Sequence, residues 1–416
     1  MSRKKLFFVI IPLLLLGGIL LLSFFYLSNS NGGRSIFGGG EFPVGTSSGD
    51  TTDPTSSNPQ TGEGDPTSTD PNTPIGQMYQ ITAEPVAGSI VIQSASTTLV
   101  RYVERATGHV FEARVDSRAQ SRLSNTTIPK IYEAVWLPDG SSVFLRYLNK
   151  ADVVKTFYAK LKASSGTSTI EMSPYSLDGN FLPDGISTLS VSNTGSKIFY
   201  LGAIESGVVG NTADPDGSKK VQVFSSPLIH WQSIWSGDDS ILLTSNAAAS
   251  IPGVSFLLSN ISKKVVSQKI LANIYGLTTS VNLSGESVLY SEVKSENLSL
   301  KALSPKEKSQ VIRTLSSKTL PEKCVWSKKE KTVLFCAVPQ SIPEGEHPDL
   351  WYQGVTSFFD SFWRIDTVTG KTDLIYYAKS NAEAYDAIKL QLSVEEDYVI
   401  FTNNKDNSLW SLRVAQ

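Results

Sequence analysis

From residue 77 onward, short runs of β-branched and aromatic residues alternate with clusters of Gly, Asp, Asn, Ser and Pro. This is the patterning of strands joined by tight turns. Its clearest instance is Glu133–Tyr147: an apolar flank Ala134–Leu137, the turn Pro138-Asp139-Gly140, then Val143–Tyr147. Proline sets φ at the start of the turn and glycine tolerates positive φ at its end. Aligned on Trp136, further copies are Leu189–Tyr200, Ser233–Leu243, Ser280–Tyr290, Cys324–Phe335 and Leu390–Phe401. Their anchors, Val191, Trp235, Val281, Trp326 and Leu392, follow Trp136 at spacings of 55, 44, 46, 45 and 66. A period of about 45 residues is that of propeller blades of about four strands each. An apolar anchor before each turn suits blades that stack face to face.

A second repeat lies behind the first. Each turn is followed by another hairpin-like run: Lys155–Leu161, Lys219–Ser225, Ser255–Ser267, Leu298–Ile312, Ser361–Tyr376 and Ser408–Val414. Upstream, Gly88–Ile92 fits an inner strand and Leu99–Val115 an outer hairpin turning at Thr107-Gly108, without the Trp and Asp-Gly marks. The fold class is therefore all-β, a β-propeller of seven blades with the upstream copy and six without it. Met78–Ile81 is a short strand with no partner of its own. It is expected to pair with the last blade as its outer strand, closing the ring and removing an exposed edge.

Composition adds two segments ahead of the propeller at 77–416. Residues 1–27 carry Arg3, Lys4 and Lys5, then the uncharged run Leu6–Leu27. Those 22 residues make ~33 Å of helix, enough to span a bilayer. Basic residues before the span favour a cytoplasmic N-terminus and a propeller outside the cell membrane. A cleavable signal peptide is the rival, but the run is long and ends Phe24-Phe25-Tyr26-Leu27, without a small-residue cleavage site. Residues 28–76 are rich in Gly, Ser, Thr, Pro, Asn and Asp, and such a stretch is expected to be a disordered tether of roughly 35–42 Å root-mean-square span. The remaining domain is neutral, which offers no argument for nucleic acid or an anionic membrane face.

The repeats resemble those of TolB-type, WD-like β-propellers, whose blades carry a Trp/Phe-Ser-Pro-Asp-Gly signature. Trp136-Leu137-Pro138-Asp139-Gly140 matches best, and Trp235-Ser236-Gly237-Asp238-Asp239 is a decayed copy. The resemblance covers most of Tyr132–Val414 and implies a protein-binding or scaffolding platform. The periplasmic members of that family carry no such anchor, so their particular partners do not transfer. The layout of anchor, tether and propeller is similar to that of uncharacterised bacterial envelope proteins.

Chemistry is sparse. His109, His230 and His347 fall in a turn, before an inner strand and in a long loop, with no metal-ligand spacing, and no Gly-x-Ser-x-Gly elbow occurs. Asp214-Pro215-Asp216-Gly217, in a long insert Ile204–Lys220, lacks the full ladder of a calcium loop and reads as a polar turn. Four Asn-x-Ser/Thr triplets, at Asn125, Asn260, Asn282 and Asn297, read as chance. Cys324 and Cys336 lie on the two arms of one hairpin, where an extracytoplasmic location favours a disulfide over two buried thiols. The insertion Val338–Asp360 accounts for most of the 66-residue spacing and should project from one face of the ring. Its Trp351, Tyr352, Phe358 and Phe359 are the candidate partner-binding residues, with folding back onto their own blade as the alternative. The expectation is a membrane-anchored binding or scaffolding module for an envelope protein or glycan, not an enzyme, without cofactor or metal. The rival is a propeller enzyme or carbohydrate-binding protein with its site at the channel mouth.

Overall fold

A computed structural model describes residues 75–164, 174–305, 311–379 and 384–414. Twenty-eight strands among them form seven four-stranded antiparallel blades. Blades 1 and 2 also touch through one parallel pairing of their outer strands, Ser124 with Tyr175. The first strands of the blades line the axis, and most successive pairs contact one another: Val86–Ser94, Ile131–Trp136, Ile186–Val191, Trp231–Ser236, Thr279–Val281, Cys324–Trp326 and Ala387–Leu392. Each of the six sequence anchors lies at or next to the end of such a strand. The upstream copy is a full blade, so the count is seven.

The second strand of each blade explains the ring. In Ser142–Leu148, Val143 and Leu145 pack with blade 1, whereas Phe144 packs with blade 3. In Ile198–Ile204, Ile198 and Tyr200 face blade 2, and Phe199 and Leu201 face blade 4. A strand buried on both sides reads as a continuous apolar run, with alternate residues serving opposite neighbours. Each junction between blades thus has its own apolar cluster, and seven clusters run round the ring. Blade 1 approaches blade 2 so closely that a Cβ on Gly88 would stand 2.1 Å from the Ala134 carbonyl oxygen. Trp136 Nε1 donates to the Gly88 carbonyl at that same point, 3.3 Å away.

Closure follows the expected route. Met78–Thr82 pairs antiparallel with Leu409–Arg413 and supplies the fourth strand of blade 7. Gln391 of blade 7 then bonds Ser89 O at 2.9 Å and Val91 N at 3.1 Å in blade 1. Cys324 and Cys336, directly opposite each other in blade 6, are joined by a disulfide with Cα atoms 4.1 Å apart.

One expectation is corrected. Ile204–Lys220 is not an insert: Gly207–Ala213 is the regular third strand of blade 3, and Asp214–Gly217 is the turn after it. The Asp214 carboxylate binds Lys197 and Lys219, which hold it down at about 2. No helix among the described residues is long and apolar enough to cross a membrane. The expected span at 6–27 and the linker at 28–76 lie outside the described residues.

Two stability outcomes follow. Ile81→Ala empties a buried site in the cluster between blades 7 and 1 and should cost about 3 kcal/mol in chemical denaturation. Reduction of Cys324–Cys336 should cost about 2–3 kcal/mol in the same measurement, since it frees only a short loop.

Candidate functional site

In a four-stranded blade the loops fall on two faces. The upper face carries the second-to-third-strand loops and the passages between blades; the lower face carries the repeated turns. The insertion of blade 6, between Val333–Pro339 and Asp360–Asp366, belongs to the upper face. It does not project. It folds inward, and its short helix Asp349–Tyr352 lies over the channel.

What holds it there is a buried cation. Lys323 ends the 3-10 turn Pro321–Lys323 that leads into blade 6 and is fully buried. Its Nζ lies 2.5 Å from Asp386 Oδ1 and 2.8 Å from Asp360 Oδ2, and it donates to the Ala387 carbonyl at 3.0 Å. The rings of Trp351 and Phe358 lie on it, with centroids at 5.4 and 5.3 Å. Trp351 Nε1 donates to Asp386 Oδ2 at 2.8 Å, and Phe358 N donates to the same oxygen at 3.2 Å. One lysine therefore joins blade 6, blade 7 and the insertion. A buried charge is tolerated only when paired and hydrogen-bonded in this manner. Burial drives Asp360 up to about 6, against the pull of Lys323.

Besides the bond from Trp351 to Asp386, two contacts tie the helix to the ring: Asp349 Oδ2 accepts from Ala249 N of blade 4 at 2.5 Å, and Tyr352 donates its hydroxyl to Glu322 at 2.5 Å. Within the insertion Leu350 lies against Gly345, and within blade 7 Asn404 Nδ2 reaches Asp386 at 3.3 Å. Beneath the helix is a cavity of about 590 Å³ lined by Ile234, Glu322, Trp351, Tyr352, Ile388, Lys389 and Asn404. These come from blades 4, 6 and 7 and the insertion, so the cavity is the upper mouth of the channel.

The titratable groups there are shifted. Burial raises the Glu322 carboxyl, partly offset by hydrogen bonds from Tyr352 and Thr278. Burial raises the Tyr352 phenol well above its ordinary value, and Glu322 adds to the effect. Lys389 is lowered by burial first, and by Arg105, with Glu133 opposing. Its side chain stays open to the channel. Such groups converging in a cleft can bind charge or transfer protons.

The four aromatic candidates separate. Trp351 is 5% exposed and Phe358 1%, stacked on each other at 5.8 Å, so both belong to the plug and not to a projecting patch. Phe359 is half-buried against the cluster between blades 6 and 7. Tyr352, 42% exposed, is the one that faces the mouth. His109, His230 and His347 sit on three different stretches of the upper face: His109 touches Thr127, His230 is exposed, and His347 donates Nε2–H to Pro343 O at 2.7 Å inside the insertion. Among the described residues no group of three or more His, Cys, Asp or Glu is placed to hold a metal. Sequence reasoning missed Lys323, Asp360, Asp386, Glu322 and Lys389. Only the two Asp residues flanking strand starts in blades 6 and 7 offered any signal.

No family model and no curated protein sequence matches the chain. Solved structures do. An oligogalacturonate lyase from Vibrio parahaemolyticus superimposes with a TM-score of 0.50 at 8% identity, over 80% of this chain and 98% of that one. The propeller domain of the trilobed protease from Pyrococcus furiosus gives 0.48 at 12% identity, over 78% and 95%. TolB from Acinetobacter baumannii gives 0.43 at 11% identity over 68% of this chain, which spans only 64% of the TolB chain. At these identities the likeness is one of fold. The expectation that the chain is not an enzyme is overturned by the same comparison. The lyase shares the architecture, so the propeller offers no ground for excluding catalysis.

The Asp360 carboxyl gives a pH signature. Its pKa is about 6 in the folded protein against 3.8 for the free group, so the folded state keeps a proton that the unfolded state releases. Its contribution to stability is fully present below 3.8 and is lost as the pH rises through about 6. Asp360→Asn should flatten the fall in stability across that window, as measured by denaturation at a series of pH values.

Proposed function

We propose that the chain is a membrane-tethered, extracytoplasmic propeller that binds a partner protein of the cell envelope on its upper face, around the channel mouth. The observation that carries this reading is the distribution of exposed apolar residues. Leu228, Ile229, Ile251, Tyr275, Tyr352 and Val355 are all exposed and belong to upper-face loops of blades 3, 4 and 5 and to the insertion. The repeated turns of the lower face carry fewer, Leu283, Val368 and Val394, set among Asp139, Asp239, Glu286, Lys328, Lys329, Glu395 and Glu396. An apolar patch beside a partly filled cleft is the usual form of a protein-binding surface. Its aliphatic character suits a protein better than a glycan, which would call for more aromatic faces.

Met78 pairs with Leu412, so both ends of the described chain lie on the lower face and leave the upper face clear. A second reading is an enzyme with its site at the mouth. It is favoured by the raised Glu322 and Tyr352 and the lowered Lys389, which lie around one cavity.

Proximity crosslinking in native membranes tests the binding reading. A partner captured by the parent protein should be lost with Ile251→Asp or Val355→Asp, both exposed positions where the fold is untouched. A partner set identical in parent and variants would overturn it.

A further inference from the structure

Lys323, Arg146, Lys389 and Arg105 are the basic side chains near the channel mouth, and the first two are already satisfied. Lys323 is held by Asp360 and Asp386. Arg146 is paired with Glu133 and donates to the Ile186 carbonyl at 2.6 Å. Lys389 has no ion pair among the described residues. Its Nζ donates to one backbone carbonyl, Ala87 O, at 3.2 Å, which leaves donors to spare.

The backbone is shaped to put it there. The inner strand of blade 7 slips register between Ile388 and Gln391, and Lys389 sits in that bulge with φ of 52°. A bulge redirects a side chain, and a left-handed backbone is disfavoured for lysine, so a regular strand would have been the easier course. The bulge makes Lys389 part of the cavity wall beside Ile388, with its ammonium group toward blade 1.

The groups around Lys389 define what it can take. Arg105 adds like charge from blade 1, and Glu133 of blade 2 is engaged by Arg146. Ile234 and Ile388 give the cavity an apolar lining, with the rings of Trp351 and Tyr352 across its top. Glu322 belongs to the blade 6 side, holding the Tyr352 hydroxyl, and would accept a hydrogen bond from a donor on a ligand. A volume of about 590 Å³ is that of a small-molecule or peptide-terminus pocket.

We infer that the upper channel mouth is a pocket for a carboxylate on an apolar carrier, with Lys389 binding the carboxylate and Ile234, Ile388, Trp351 and Tyr352 covering the carrier. A phosphate dianion fits less well. It would meet one ammonium and the acidic Glu322 without the guanidinium fork or cluster of backbone amides that such a group uses. The carboxylate could end a partner's chain or belong to a free acid. This inference rests on the reading of the mouth as a binding site and narrows it to a chemistry.

The test uses the full-length protein in nanodiscs, with empty nanodiscs as the blank and tryptophan fluorescence as the readout. The titrants are N-acetyl-Leu-Leu with a free carboxylate, its C-terminal amide, and 4-phenylbutanoate. At least one acid should bind, with the amide about tenfold weaker or more. Lys389→Gln, which can still bond Ala87 O, should lose that preference, and Lys389→Arg should keep it. Binding of the peptide acid alone assigns the carboxylate to a chain end; binding of 4-phenylbutanoate extends the site to free acids. Equal binding of acid and amide, an unchanged preference in Lys389→Gln, or no binding above the blank overturns the inference. Any of those results alongside a partner lost in Ile251→Asp would leave the upper-face reading standing and remove only the pocket.

Discussion

Every blade depends on a strand that no single blade can bury. Val143 and Leu145 need blade 1 while Phe144 between them needs blade 3, and the same division runs through Ile198–Leu201. A blade with one neighbour missing would leave half of such a strand in water. The chain therefore gains full burial only when the ring is shut. Shutting it requires its most distant pairing, Met78–Thr82 with Leu409–Arg413. Loop closure over that distance costs only logarithmically more than a short one, so a strand of five residues suffices.

The candidate site follows from a second constraint, applied at one junction. Lys323 places a charge where blades 6 and 7 meet, and the partners that make it tolerable, Asp360 and Asp386, open the strands on either side. The insertion adds Trp351 and Phe358 above it, and the indole is tied to the same Asp386 that binds the lysine. Replacing such a cluster by apolar residues need not weaken a protein. Its present value is directional: an apolar plug could settle in several poses, whereas three polar partners admit one. That pose carries Tyr352 to Glu322 and closes the cavity over Lys389.

The ring was legible because its signal repeats. Apolar anchors and turns recur in register, and even the unpartnered Met78–Ile81 pointed to the closing strand. Gly207–Ala213 escaped notice for a local reason. Its Gly210 is needed where a Cβ would press on Phe199 at 2.7 Å, and that glycine, with Asn211 and Thr212, makes a buried strand look like a loop. The site was illegible for the opposite reason, since nothing in it is local. Lys323 and Asp386 are 63 positions apart, and Lys389 owes its direction to a bulge that no residue type announces. The aromatic content of Trp351–Phe359 drew attention to a segment that reaches the channel mouth. It could not say which rings would be spent on Lys323 and which one would face the mouth.

The two faces differ in how far they were free to diverge, and this explains why the unusual features lie on one side. On the lower face the residue after the anchor is Ser192, Ser236, Asn282, Ser327 or Ser393 at five of the six anchors, all buried, and Leu137 after Trp136. Most of these side chains accept from the backbone of their own turn: Asn282 Oδ1 from Glu286 N at 2.9 Å, Ser393 Oγ from Tyr398 N at 3.0 Å, Ser327 Oγ from Glu330 N at 2.8 Å. Ser236 instead donates to Asn282 O in the next blade, 3.3 Å away. A turn bound in this way has a fixed length, because an added residue would strand a buried hydroxyl or amide without its partner. Internal bonds occur in some upper loops too, as where Asn149 Oδ1 accepts from Ala151 N and Val153 N, but the second-to-third-strand loops range from two residues in blade 5 to twenty in blade 6. The excursion of blade 6 is the longest of these. Once there, the nearest unfilled volume was the channel mouth, which is where its aromatic side chains came to rest.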